Sequence, residues 1–184
     1  MKCLSFLSAL VAMAMVMAGL WMSDAFPMAS AEEAKPAAKA DDAAVKRARK
    51  AVQMLDNIYK QTIVLITDKY VHDEEDFPAG SAAVVLFRNI TESGSHEVRL
   101  IDATGMPYDE KNVARDEFEK EGLKKLKSGE AYYEQIIEKD GQMRLRALTP
   151  VPVVMKKCVM CHAHYADAKK GEPIGAISYA LPVE

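Results

Sequence analysis

Apolar positions recur at alternating spacings of three and four from Val45 through Ala48, Val52, Leu55, Tyr59, Thr62 and Ile66. That interval places side chains on one face of an α-helix. Asp41 or Asp42 supplies a side-chain oxygen to accept from the first helical amides. Carried on to Val71, the helix would run about 45 Å at 1.5 Å per residue. A small domain is narrower than that, so the helix either bends or presents its first turns to a partner. Phe77-Pro78 opens a second helix through Ala82-Ala83-Val84-Val85-Leu86-Phe87, ending near Gly94. At His96 the period changes to two, with His96, Val98 and Leu100 on one face of a strand and Glu97 and Arg99 on the other. This turns His96 inward.

Ala103-Thr104-Gly105-Met106-Pro107 reads as a loop, and Asn112 as the cap of a third helix. Phe118, Leu123 and Leu126 of that helix face the core, and Gly129 stops it. Tyr132 to Ile137 and Met143 to Leu148 flank Asp140-Gly141, two residues that tolerate the positive φ of a tight hairpin. A last strand fits Ile174 to Val183, and Met155 to Tyr165 fit a short helix between the final strands. No internal repeat is present. The sum is an α+β domain with an antiparallel sheet.

The amino terminus changes the compartment. Lys2 precedes an apolar run from Leu4 to Leu20, and Ala29-Ser30-Ala31 offers the small-x-small pattern of a signal-peptidase site. Residues 1–31 are therefore expected to be a signal peptide, with Glu32 the first mature residue and the protein periplasmic or otherwise exported. About 20 apolar residues could also span a bilayer uncleaved, but the A-x-A site argues for removal, which leaves no stable membrane insertion. Cys3 precedes the apolar run instead of ending it, which argues against a lipoprotein. Residues 32–44 are rich in Ala, Lys, Asp and Glu without large apolar groups, the composition of a flexible linker. Residues 45–184 make one domain.

The excised segment carries one base, Lys2, and one acid, Asp24, so the net charge of −3 persists in the mature chain. Such a balance gives no nucleic-acid footprint. Of the three cysteines, Cys3 leaves with the signal, and Cys158 and Cys161 remain.

Those two stand in Cys158-Val159-Met160-Cys161-His162, the C-x-x-C-H attachment signature of a c-type haem. Two thiols at this spacing can add to the two vinyl groups of one porphyrin, and the adjacent imidazole of His162 becomes the proximal iron ligand. One such motif implies one covalent haem. A zinc site would need further ligands, yet only His164 follows closely and no second C-x-x-C exists. A thioredoxin-type pair needs a parallel βαβ context that this order of elements does not offer.

Candidates for the sixth iron position are His96, favoured by its strand face, then His72, His164, Met106, Met143, Met155 and Met160. His72 lies among acids, His164 points away from the same iron on a short helix, and methionines are most often core filler. Arg144 and Arg146 alternate with Met143 and Leu145 on a strand, where they are candidates to pair with haem propionates bidentately.

The series Gly105-x-Pro107, Asn112, Phe118-Glu119, Leu145-Arg146, Pro150, Cys158-x-x-Cys161-His162 and Gly175-Ala176-Ile177-Ser178 resembles the c-type-haem domains with a PAS-like fold, from about Val45 to Pro182. Such domains occur as small secreted proteins and as periplasmic sensor portions. The resemblance implies a five-stranded antiparallel sheet flanked by helices, and redox or small-ligand sensing more than bulk electron transport. Some members use a cysteine before the first strand as distal ligand, a position that falls near Phe87 here. With no third mature thiol, that ligation cannot operate in the mature monomer.

The resulting expectation is an exported monohaem c-type cytochrome, acting in redox or small-ligand sensing or electron transfer. Its partner is an unknown redox or signalling protein, and a homodimer through the first helix is a further possibility. The alternative is a haem enzyme with an open distal site for peroxide or nitrogen-oxide chemistry. No recognisable acid–base pair supports that alternative, so a binding protein is expected over an enzyme.

Overall fold

In the computed structural model, residues 35–36, 41–73, 75–160 and 163–184 are described. The expected signal peptide, and Cys161 and His162 of the motif, lie outside them.

Helix α1, Asp42–Tyr70, is one 29-residue element, about 43 Å long. Asp41 is its cap, the carboxylate accepting from Ala43 N at 3.3 Å and Ala44 N at 3.2 Å. The helix thus begins three residues before the Val45 boundary read from the pattern, because Asp41 can satisfy the first amides and Ala43 and Ala44 favour helix. Helix α2, Ala79–Ser93, starts after Pro78 and stops at Gly94, which adopts φ 81°. Both ends agree with the sequence reading.

The third helix does not start at Asn112. Glu110–Asn112 is a single 3₁₀ turn, and α3 is Glu117–Lys127, capped by the Asp116 carboxylate on Glu119 N at 3.0 Å. Asp116 and Asn112 are equivalent caps by residue type, and only the packing of Phe118 and Leu126 under the sheet selects the later one. The short helix expected over Met155 to Tyr165 is replaced by two 3₁₀ turns, Lys156–Val159 and Ala163–Asp167.

Strands β1 (Lys35–Pro36), β2 (Glu97–Asp102), β3 (Tyr133–Lys139), β4 (Gln142–Pro152) and β5 (Pro173–Pro182) form an antiparallel sheet in the order β1-β3-β4-β5-β2. The five full strands implied by the resemblance reduce to four, since β1 is a two-residue pairing of Lys35 and Pro36 with Glu138 and Ile137 at the edge of β3. Asp140 (φ 54°) and Gly141 (φ 72°) turn the β3–β4 hairpin as expected. The protein is a mixed α+β fold with three helices.

Strand alternation separates two cores. Leu145, Ala147, Ile177, Tyr179 and Val98 meet Ala48, Val52 and Tyr59 of α1 and Ala83 and Phe87 of α2 on one face. Ile101, Leu148 and Ala176 meet Phe118 and Leu126 of α3 on the other. Helix α3 lies close to the sheet at Gly122, where a Cβ would stand 2.8 Å from Tyr133 Cδ1 and 2.9 Å from Leu148 Cδ2. A buried polar tie fixes the rotation of α1. Asp56 Oδ1 accepts from Thr149 Oγ1 at 2.5 Å and Tyr179 Oη at 3.0 Å, while Asp56 Oδ2 pairs with Lys60 at 2.9 Å. Among the described residues no helix is long and apolar enough to cross a membrane.

Candidate functional site at the C-terminal end of the first helix

After β4 the chain turns at Met155 into the 3₁₀ turn that carries Cys158, closed by Cys158 N to Met155 O at 3.1 Å and Met160 N to Lys157 O at 3.2 Å. The last carbonyls of α1 lack intrahelical donors and carry the negative end of the helix dipole. Lys157 fills that need. Its ammonium donates to Val71 O at 2.7 Å, Asp68 O at 2.8 Å and Thr67 O at 3.4 Å. The residue preceding the first motif cysteine therefore docks the attachment segment onto the end of α1. Cys158 itself is a partly buried free thiol.

The second turn carries His164 and Tyr165, whose rings meet edge to face with centroids 4.5 Å apart. Burial, then the nearby charges of Asp102 and Cys158, push the Tyr165 hydroxyl up to about 12. Asp102 is held at the end of β2, accepting from Thr104 Oγ1 at 2.7 Å and Gly105 N at 2.6 Å. Between the loop after β2 and the segment leading into β5 lies a cleft of about 300 Å³, lined by Ala103, Thr104, Met106, His164, Pro173 and Ile174 among others.

Several large apolar side chains at this end remain exposed. Tyr70 ends α1, Phe77 sits in the loop leading to α2, Met106 borders the cleft, and Val154 precedes the attachment turn. A free Cys158 thiol, with Cys161 and His162 following it in the sequence, and exposed apolar side chains fit a porphyrin. Cys158 and Cys161 would carry its vinyl side and His162 its iron.

The expected distal ligand is not placed there. His96 lies at the opposite end of the molecule, in a cleft with Ala48, Ala51, Leu181 and Pro182. Along α1, Tyr59, which His96 contacts, and Thr67, which Lys157 contacts, are separated by about 12 Å at 1.5 Å per residue. Along β2, His96 and Ala103 are separated by about 23 Å at 3.3 Å per residue. Both rings of bonds are also engaged. His96 Nε2 is 2.9 Å from Tyr59 Oη, Nδ1 is 3.2 Å from Ser95 Oγ, and the Tyr59 ring stacks 6.2 Å from the imidazole. The strand face was read correctly, and the register sets His96 beside the start of β2, at the end of the strand away from the segment that carries Cys158.

Arg144 and Arg146 lie toward the same end. They pair in register with Pro182 and Ala180, at the His96 end of β5. Arg144 is bound to Glu97 at 2.7 Å. Arg146 is bound to Asp116 at 2.7 Å and covers the Phe118 ring at 4.2 Å. Both guanidiniums are engaged within the chain. Of the other candidates, Met143 lies at that same far end, while His72, Met106, Met155, Met160 and His164 lie at the motif end. Lys157, Tyr165 and Asp102 escaped the sequence reading. Only the abutment of Lys157 to Cys158 could have signalled any of them.

Burial lowers the pKa of His96 below the usual imidazole value. The unfolded chain takes up this proton near the ordinary value of about 6.5, while the folded chain resists it. The stability from a neutral His96 is therefore present above about pH 6.5 and is lost as the pH falls through that value toward the folded pKa. Urea midpoints are expected to fall between about pH 7.5 and about pH 5.5, and His96→Gln should flatten that fall. An unchanged slope in the variant would assign the pH dependence elsewhere.

A model of the Tll0287-like family matches residues 36–182. Searches of the curated proteins and of the solved structures found no match.

Proposed function

Because the chain belongs to the Tll0287-like family, a family of c-type haem domains, we propose that it is an exported monohaem cytochrome working in electron transfer or in redox or small-ligand sensing. The observation that carries this reading is the family match, which runs through C-x-x-C-H, together with a free Cys158 thiol on a turn anchored beside an uncovered apolar rim. When bound, the haem supplies one-electron exchange or small-ligand binding at its iron.

The chain's own residues do the rest. Cys158 and Cys161 fix the porphyrin edge, and His162 binds the metal. Lys157 holds the Cys158 turn against the end of α1. Tyr70, Phe77, Met106 and Val154 are exposed apolar side chains that would offer a bound porphyrin apolar contact and keep water from it. We read the fold as PAS-like, supported by an antiparallel sheet with helices on both faces, and the location as periplasmic, supported by Lys2, the run Leu4 to Leu20, and Ala29-Ser30-Ala31.

Expression with a cytochrome-maturation system and export should give a red protein whose denatured mass exceeds that of the chain from Glu32 by one haem. Its pyridine haemochrome should have the bis-thioether position. A colourless protein of bare polypeptide mass would reject the reading. Carbon monoxide added to the ferrous form decides the sixth position: full binding marks an open sensing site, and no change marks a closed carrier. Placement at the motif end favours His72 or Met106 over His96 as the closing ligand.

A further inference from the structure

A phenol buried in the larger core is joined to the surface by a chain of hydrogen bonds that the haem reading does not use. Tyr59, on the face of α1 that meets the sheet, is 7% exposed. Its hydroxyl lies 2.9 Å from His96 Nε2, and His96 Nδ1 lies 3.2 Å from Ser95 Oγ. Among the described residues the Tyr59 hydroxyl has no other hydrogen-bond partner, and a buried O–H left without an acceptor is costly. The phenol therefore donates to Nε2, which places the imidazole proton on Nδ1, donating to Ser95 Oγ. Ser95 is exposed and lines, with His96, a cleft of about 490 Å³.

Burial pushes the Tyr59 phenol above its ordinary pKa and the His96 imidazole below its own. At neutral pH the first therefore holds its proton and the second is a neutral base. An oxidised phenol is a far stronger acid than the phenol, so a buried tyrosine gives up an electron readily only where a base can take its proton. Otherwise a cation is left in the core. The Tyr179 ring, parallel within 7° at a centroid distance of 6.4 Å, and the Phe87 ring, edge-on at 5.2 Å, hold the phenol in place. Tyr179 differs in its acceptor. Its hydroxyl donates at 3.0 Å to Asp56 Oδ1, which already accepts from Thr149, in a carboxylate that also pairs with Lys60. Tyr59, not Tyr179, has an unshared base bonded onward to an exposed hydroxyl.

We infer that Tyr59 is a redox-active tyrosine, oxidised by one electron with His96 as its proton acceptor and Ser95 as the outlet for that proton. The oxidant is a strong one-electron acceptor, an oxygen-centred radical or a high-valent metal complex. It gains one electron and the Tyr59 ring loses one. The phenolic O–H bond breaks, its proton forms an N–H bond at Nε2 of His96, and the imidazolium releases its Nδ1 proton through Ser95 Oγ to the cleft. The phenoxyl that remains is neutral and keeps the unpaired electron. One electron from a reductant and one proton returned along the same bonds restore the phenol. None of these groups belongs to the attachment motif, so the inference stands independently of the haem.

The exported, matured chain, oxidised by photogenerated ruthenium(III) tris-bipyridine and frozen after a series of delays for electron paramagnetic resonance, tests it. A neutral tyrosyl signal is expected, narrowed when the chain carries ring-deuterated tyrosine. Tyr59→Phe, which removes one oxygen and keeps the ring, should lose the fastest-formed signal with an unchanged far-ultraviolet spectrum. His96→Gln keeps a hydrogen-bond acceptor but no base, and should slow radical formation about a hundredfold, the worth of a positioned proton acceptor. Heavy water should slow it in the parent chain. The absence of a tyrosyl signal, a fast signal of full size in Tyr59→Phe, or equal rates in the parent and His96→Gln would each overturn the inference.

Discussion

Exchanging Cys158 and Cys161 together for alanine leaves an exported chain with no covalent haem, so acid–acetone extraction removes all colour and the denatured mass is that of the polypeptide. Each single exchange retains one thioether. An unreacted vinyl group extends the porphyrin conjugation, so the pyridine haemochrome of Cys158→Ala or Cys161→Ala moves to longer wavelength than that of the parent protein. Covalent colour surviving in the double variant would place the attachment on other side chains. The fold supports a clean result at Cys158, because the thiol is only partly buried and makes no disulfide. Its removal opens little cavity in either core.

Arg99→Met should be the most damaging single change far from the motif. The Glu119 side chain, 3% exposed, is held by Arg99 Nη1 at 2.5 Å and by Arg115 N at 2.8 Å. Removing one member of a buried ion pair leaves the other charged and dry, at a cost of about 3 kcal/mol or more. Removing both members should cost less, so Arg99→Met with Glu119→Leu is expected to unfold at a higher urea concentration than Arg99→Met alone. A double variant less stable than the single would show that Glu119 keeps a second role. Arg99 Nη2 also donates to Lys111 O and Val113 O at 2.9 Å, which fastens the connection from β2 to α3. Met106, on that connection, borders the His164 cleft. Loosening it should also quicken amide exchange around residues 104–113.

Local patterns were legible wherever a single element decided them. The α1 periodicity found Val45, Ala48, Val52 and Tyr59, which are buried, and Pro78 and Gly94 marked both ends of α2. Asp140-Gly141 announced its hairpin because positive φ restricts the residues that can occupy the turn. The Asn112 cap was misread because Asp116, four residues later, is an equal cap and only contact with the sheet chooses between them. The short helix after Met155 was misread because Lys157 spends its charge on α1, a contact across 86 to 90 residues of sequence.

The chain alone made the haem motif legible, since C-x-x-C-H needs five consecutive residues and no fold to be recognised. It also settled the mixed α+β class and the alternation that turns His96 inward. Tertiary structure decided which end of the molecule each candidate occupies. A period of two or of 3.6 gives the side a residue faces, but position along the axis depends on strand register and on where helices dock. For that reason Arg144 and Arg146 on β4, and His96 beside the start of β2, lie at strand ends away from Cys158, while Lys157, unremarkable in the sequence, bonds the end of α1.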